Sequence, residues 1–289
     1  MDAVLSLKEH LVICGWKLDI GLIIHEILEA EPKWRKTGLL IVANVTEKDA
    51  SDLMSDPGLS GVQLIRDEAF HESALKKACI GEAAKVMVLA DWSDKDMTAT
   101  ETDAKTVMTM MAIEKLAPHV YTIAEILDPG YAVYLKMTHV DELIFPREYS
   151  RLLLAGASAS AGIAHVIYDL LTVDAAKPCV LTTVAAPPEY VGRTFRELCA
   201  HFDALASPRS ICVGLLENTG NIHALKHRAK IEAQKTREIR DILVNLQQVK
   251  EIKPNLPKLN PGDEYEIRPY SMAVVIETPD ETTRESGLK

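Results

Sequence analysis

The 289-residue chain has no apolar run of the roughly 20 residues that a bilayer span requires. Leu152 to Ile167, among its longest apolar stretches, is interrupted by Gly156, Gly162 and several serines. The opening MDAVLSLKEH sets Asp2, Lys8 and Glu9 around a short apolar segment with no cleavage site, which predicts no secretory signal and a cytoplasmic location. Cys14, Cys79, Cys179, Cys199 and Cys212 are odd in number and show no C-x-x-C spacing, so reduced structural thiols are expected rather than a zinc or redox motif. A basic excess is also absent: 32 Lys and Arg stand against 42 Asp and Glu, a formal charge of −10. Nucleic acid, which is held through clustered cations, is thereby excluded as an expected partner, and cations are favoured.

What is present is a regular alternation. Six short apolar runs, at 10–15, 38–43, 62–66, 85–90, 120–125 and 142–145, are separated by segments with helical periodicity. Runs apolar through most of their length suit parallel strands covered on both faces, and the right-handed crossover rule turns the series into a doubly wound sheet. After Pro146, REYSRLLLAGASASAGIAHVIYDLLT reads as one long helix rich in Ala, Gly and Ser. Such a helix packs either within its own chain or closely against another subunit. From about Lys177 a smaller α+β unit is expected, with strands at CVLTTVA, RSICVGLLE, EYEIRP and MAVVIE and a helix at VGRTFRELCAHF. It carries an insertion at about 224–255, where Ile239, Ile242, Leu243, Leu246 and Val249 keep helical spacing, and it ends in a polar tail.

The first strand and turn, HLVICGWKLDIG, call for comparison with a dinucleotide fingerprint, which places glycines for the turn, for approach to the pyrophosphate and for helix packing. Only Gly15 fits; Lys17 and Ile20 hold the other places, Gly21 is out of register, and Asn44 stands where an acid would hold the ribose. A helix N-terminus with Lys17 beside it still suits an anion, so Gly15, Trp16, Lys17, Asn44, Arg66 and Asp67 form a candidate nucleotide-binding set for NAD, ATP or ADP. No G-x-S-x-G or H-E-x-x-H group is present, and Ser158 and Ser160 read as packing residues, so no catalytic residues are assigned. His223 and His227, four apart, suit either a metal or a solvated helical face. ADWSDKDMTATETDAK is rich in oxygen ligands, and Asp91, Asp94, Asp96, Glu125 and Asp128 form a candidate site for calcium or another divalent cation. The same acids suit ordinary helix capping.

The order and spacing of HLVICGW, IRDEAFHESALKKACIGEAAKVMVLAD, TIAEILDPGYAVYLKMTHVDELIFP, PPEYVGRTFRELC and LNPGDEYEIRPYSMAVVIE resemble RCK domains, which regulate potassium conductance. The resemblance covers most of the chain outside the insertion and tail. It implies a Rossmann-like N-terminal lobe (1–146), a crossover helix through which subunits dimerise (147–176) and a C-terminal lobe (177–289), with dimers assembling into an octameric ring below a pore domain. A small cytosolic ligand would shift the ring's conformational equilibrium and with it the pore. The expected role is a non-enzymatic gating ring at the cytoplasmic face of the membrane. The turn at Gly15 resembles channel-type members more than nucleotide-binding transporter subunits. Calcium-gated relatives carry an acidic pair after the fifth strand, of which Glu125 matches and Leu127 does not. A detached transporter subunit and a Rossmann NAD(P)-dependent oxidoreductase stand as alternatives.

Overall fold

The computed structural model describes residues 7–94, 96–172, 179–205, 209–233 and 253–278. Its contacts divide the chain into two units, Met1–Leu152 and Leu153–Lys289.

In the first unit the strands are β1 (Leu11–Cys14), β2 (Leu39–Val42), β3 (Val62–Ile65), β4 (Lys85–Val88), β5 (Tyr121–Glu125) and β6 (Glu142–Ile144). All pair in parallel, in the order β3-β2-β1-β4-β5-β6. Each of the six apolar runs in the sequence contains one of them. The helices are α1 (Ile20–Ala30), the single turn α2 (Trp34–Thr37), α3 (Glu47–Met54), α4 (Glu72–Lys77), α5 (Ala99–Leu116) and α6 (Ala132–Met137).

Alternation along the strands builds two cores. Val12, Cys14, Leu40, Val42, Val86 and Val88 face one side, against Leu75 of α4, Met110 and Ile113 of α5 and Leu135 of α6. Leu11, Ile13, Leu39 and Ile41 face the other, against Ile20, Ile24 and Leu28 of α1. Those three α1 residues recur four apart, which puts them on one helical face. With both faces covered the strands have no solvent side, hence their near-continuous apolar sequence. The strand order reverses between β1 and β4, so their carboxyl ends open into the crevice where ligands bind in sheets of this kind.

Helix α7 (Pro146–Ala159) runs across the boundary between the units and is followed by α8 (Ile163–Leu171). The single long helix expected over Arg151–Leu171 is therefore broken: Gly162 sits at φ 81°, left-handed backbone that glycine adopts without strain, and it starts α8. Neither helix buries a residue, and Tyr149, Leu152, Leu154, Val166, Tyr168 and Leu171 are exposed.

The second unit contains β7 (Val180–Ala185), α9 (Phe195–Ala204), β8 (Arg209–Glu217), α10 (Ile222–Ala233), β9 (Leu256–Leu259) and β10 (Met272–Thr278). Its strands form an antiparallel sheet in the order β7-β10-β8-β9. Helix α9 starts in a capping box, Thr194 with Glu197, and seats Phe195, Leu198 and Phe202 on Leu215, Ala273 and Val275. The expected strand at EYEIRP is absent; that segment makes one isolated bridge, Thr194 with Glu266. The edge of the sheet is instead Leu256–Leu259, where Pro257 is tolerated because an edge strand needs only one row of ladder bonds. Of the insertion, residues up to Ala233 form α10, in which Ile222 and Leu225 are buried and Arg228 stacks on Tyr270 at 4.3 Å. Ile239, Ile242, Leu243, Leu246, Val249 and the tail lie outside the described residues.

Candidate ligand crevice

The candidate site lies in the first unit, where β1, β4 and β5 end. Gly15 has φ +98°, and a Cβ there would lie 2.9 Å from the Leu89 carbonyl oxygen, so a side chain is excluded by both backbone conformation and space. The glycine thus serves the close approach of the turn after β1 to the end of β4. The next N–H, that of Trp16, lies in the turn that receives phosphate in a complete fingerprint. Here it donates to Asp91 Oδ1 at 3.2 Å, and Asp91 also accepts from Ser93 N at 2.9 Å. The chain's own carboxylate occupies the anion position.

Lys17 is committed in the same way. Its Nζ lies 2.5 Å from Glu125 Oε1, while Glu125 Oε2 accepts from Ala90 N at 3.0 Å. Glu125 is buried, so this pair joins the ends of β1, β4 and β5 in low-dielectric surroundings. Removing one partner would leave the other charge buried and unpaired, at about 3 kcal/mol. A second bridge crosses the crevice from α5: Lys105 Nζ is 3.1 Å from Glu68 Oε2 and 3.5 Å from Asp91 Oδ2. Burial works against the Lys105 charge, but the hydrogen bonds and charges of Glu68 and Asp91 outweigh it and hold its pKa above the ordinary lysine value. Asn44 Nδ2 donates to Glu68 Oε1 at 2.9 Å, closing the network toward β2. Two cations, Lys17 and Lys105, face three carboxylates, Glu68, Asp91 and Glu125, which leaves one negative charge in excess. Beside the Lys105 bridge is a cavity of about 10 Å³, the room of one water, bordered by Gly15, Glu68, Asp91 and Lys105.

The remaining candidates stand apart. Arg66 Nε donates to the Val45 carbonyl at 3.3 Å, and Asp67 accepts from Glu68 N and from His71 Nδ1. Trp16 is buried in the α1-side core rather than offered to a ligand. Asp94 and Asp128 are exposed and cap their own loops, accepting from Asp96 N at 3.0 Å and Gly130 N at 2.8 Å; Asp96 is exposed as well. Among the described residues, no three of Asp91, Asp94, Asp96, Glu125 and Asp128 bring ligand oxygens within 4.8 Å of one another. Asp103 is wholly buried, and its two oxygens accept from Leu127 N at 2.8 Å and Asp128 N at 2.9 Å. Burial raises its pKa against the pull of those two bonds.

Sequence reasoning did not single out Glu68 and Lys105. The signal for Lys105 was the polar stripe Thr102, Thr106 and Thr109, which α5 turns inward at the position where an amphipathic helix is normally apolar. The stripe marks the helical face that meets the crevice.

A parallel sheet wound on both sides, with a crevice at its strand ends filled by the chain's own charges, defines a Rossmann-like α/β domain. Residues 6–124 match the family model of the calcium-activated potassium channel slowpoke-like RCK domain. The chain is 23% identical over 166 residues to the calcium-gated potassium channel TvoK of Thermoplasma volcanium, covering 57% of this chain and 44% of that protein. It is 28% identical over 148 residues to the Bacillus subtilis protein YugO, covering 51% of this chain and 41% of that protein. Among solved structures, the human SLO3 gating ring shares the fold with a TM-score of 0.58 and 13% identity, covering 93% of this chain and 44% of that one. The chain therefore spans less than half the length of each of these relatives.

Proposed function

We propose that this chain is a regulatory gating-ring domain of a potassium channel at the cytoplasmic face of the membrane, coupling a cytosolic ligand to a pore carried on other polypeptide sequence. The observation that carries this reading is the RCK match over residues 6–124 on a six-stranded parallel sheet. No covalent chemistry is needed. A ligand that binds one ring conformation more tightly shifts the gating equilibrium by that difference in affinity.

The filled crevice supports a cation over a nucleotide. A pyrophosphate at the Gly15 turn would have to displace Asp91 from Trp16 N–H and part Lys17 from Glu125. A divalent cation instead needs the exposed acids Asp94, Asp96 and Asp128 on the loops following β4 and β5 to draw together, at the mouth of a crevice already one charge negative. Self-association is supported by α7 and α8, which leave six large apolar side chains exposed, the composition expected of a crossover contact between two copies.

The test is thermal unfolding of the chain with calcium, magnesium, sodium, NAD, ATP or ADP. Selective stabilisation by a divalent cation, lost in Asp94→Asn/Asp128→Asn, supports the reading. Stabilisation by nucleotides alone would overturn the cation assignment and favour a nucleotide-binding transporter subunit.

A further inference from the structure

The second unit contains a pair of thiols that the crevice and the gating reading leave unused. Cys199 lies on α9 beside the residues that seat this helix on the sheet, and Cys212 lies on β8, paired with Val275 of β10. Cys199 Sγ is 3.8 Å from the Cys212 carbonyl oxygen, which sets the α9 thiol against the backbone of Cys212 itself, and Cys212 Sγ is 3.6 Å from the Gly214 carbonyl oxygen. Their exposure differs. Cys212 is buried in the core of the unit, whereas Cys199 is half-buried at its margin.

We propose that Cys199 and Cys212 form a reversible intrachain disulfide that staples α9 to β8 when the protein meets a peroxide-class oxidant. The half-buried Cys199 thiolate attacks one oxygen of the peroxide, giving a sulfenic acid at Cys199 and hydroxide. The Cys212 thiol, delivering its proton to the departing oxygen, then attacks the Cys199 sulfur; the S–O bond breaks, an S–S bond forms and water leaves. The peroxide gains the two electrons that the two sulfurs lose, and a dithiol reductant reverses the change by exchange.

The surroundings set the pace of this chemistry. Burial raises the Cys199 pKa, the charges of Asp203 and Asp263 add to the rise, and burial pushes Cys212 up to about 12. Both groups are thereby held as thiols, which slows their attack on a peroxide. The bridge would close a short loop between α9 and β8, tightening the helix that covers the small core.

The experiment treats the full chain with hydrogen peroxide at neutral pH, blocks remaining thiols by alkylation and maps peptides by mass spectrometry without reduction. The expected result is a peptide joined through Cys199 and Cys212, an intact mass lower by two hydrogens, reversal by dithiothreitol, and a raised unfolding temperature that Cys199→Ser abolishes. Sulfinic acid at Cys199 with no joined peptide, or bridges formed only through the partly exposed Cys79 or Cys179, would overturn the proposal. Peptide mapping is made on the unaltered protein, so it decides the matter even where Cys199→Ser fails to fold.

Discussion

His10 is fully buried at the start of β1, with Nε2 donating to the Ala78 carbonyl at 2.9 Å and Nδ1 without a hydrogen-bond partner. That arrangement holds the neutral imidazole, because a proton on Nδ1 would create a buried donor facing no acceptor. Burial lowers its pKa, against the opposing effects of the Ala78 hydrogen bond and the Glu9 charge. The sign of the stability effect follows. Below the ordinary histidine value near 6.5 the unfolded chain binds a proton that the folded chain refuses, so unfolding free energy falls as pH drops through that value. Urea midpoints at pH 7.5 and 5.5 measure this loss, and in His10→Gln, which keeps a donor but cannot titrate, the difference between the two pH values should shrink. A second buried residue is only partly satisfied: Glu217 accepts from Tyr265 Oη at 2.7 Å through one oxygen, while its other oxygen has no partner. Desolvation raises the Tyr265 pKa, and the hydrogen bond and charge of Glu217 add to the rise.

At the scale of elements, α5 organises the crevice. Its capping box, Thr98 with Glu101, fixes where the helix begins, Thr102 Oγ1 reaches the Asp91 carbonyl, Asp103 receives the turn after β5, and Lys105 bridges Asp91 to Glu68. One helix thereby ties together the loops after β3, β4 and β5. Asp103→Asn replaces one of two buried acceptors with an amide donor aimed at a backbone N–H, and it should cost about 1–3 kcal/mol of stability by urea unfolding. Thr98→Ala removes only the cap at the exposed end of the same helix and should cost about 1 kcal/mol. If the two variants lost equal stability, the Asp103 bonds would have no special weight in holding the turn after β5.

At the scale of the whole molecule, the apolar surface of α7 and α8 and the negative net charge point in opposite directions. Like charge at −10 opposes association, so the proposed self-association would have to be supplied by a localised apolar contact. Leu154 and Tyr168 are the test positions, being largely exposed at 71% and 65% on two successive helices. Light scattering on Leu154→Lys/Tyr168→Lys should give a lower mass than the unaltered chain, with the unfolding temperature of each unit little changed, since neither side chain is buried in its own chain. An unchanged mass would remove these helices from the subunit contact.

The sequence by itself determined the first unit's strands, because a strand covered on both faces must be apolar nearly throughout, and it determined that the Gly15 turn lacks a complete dinucleotide fingerprint. It placed Asp91 and Glu125 at strand carboxyl ends for the same reason. It did not disclose the break at Gly162, since a stretch rich in Ala, Gly and Ser suits one helix or two. Nor did it separate the edge strand Leu256–Leu259 from EYEIRP, since both alternate and only pairing to β8 distinguishes them. The state of the crevice was decided by tertiary structure alone. Lys17 and Glu125 are 108 residues apart and Lys105 and Glu68 are 37 apart, and such charges neutralise one another only once the sheet has brought β1, β3, β4 and β5 to a common edge.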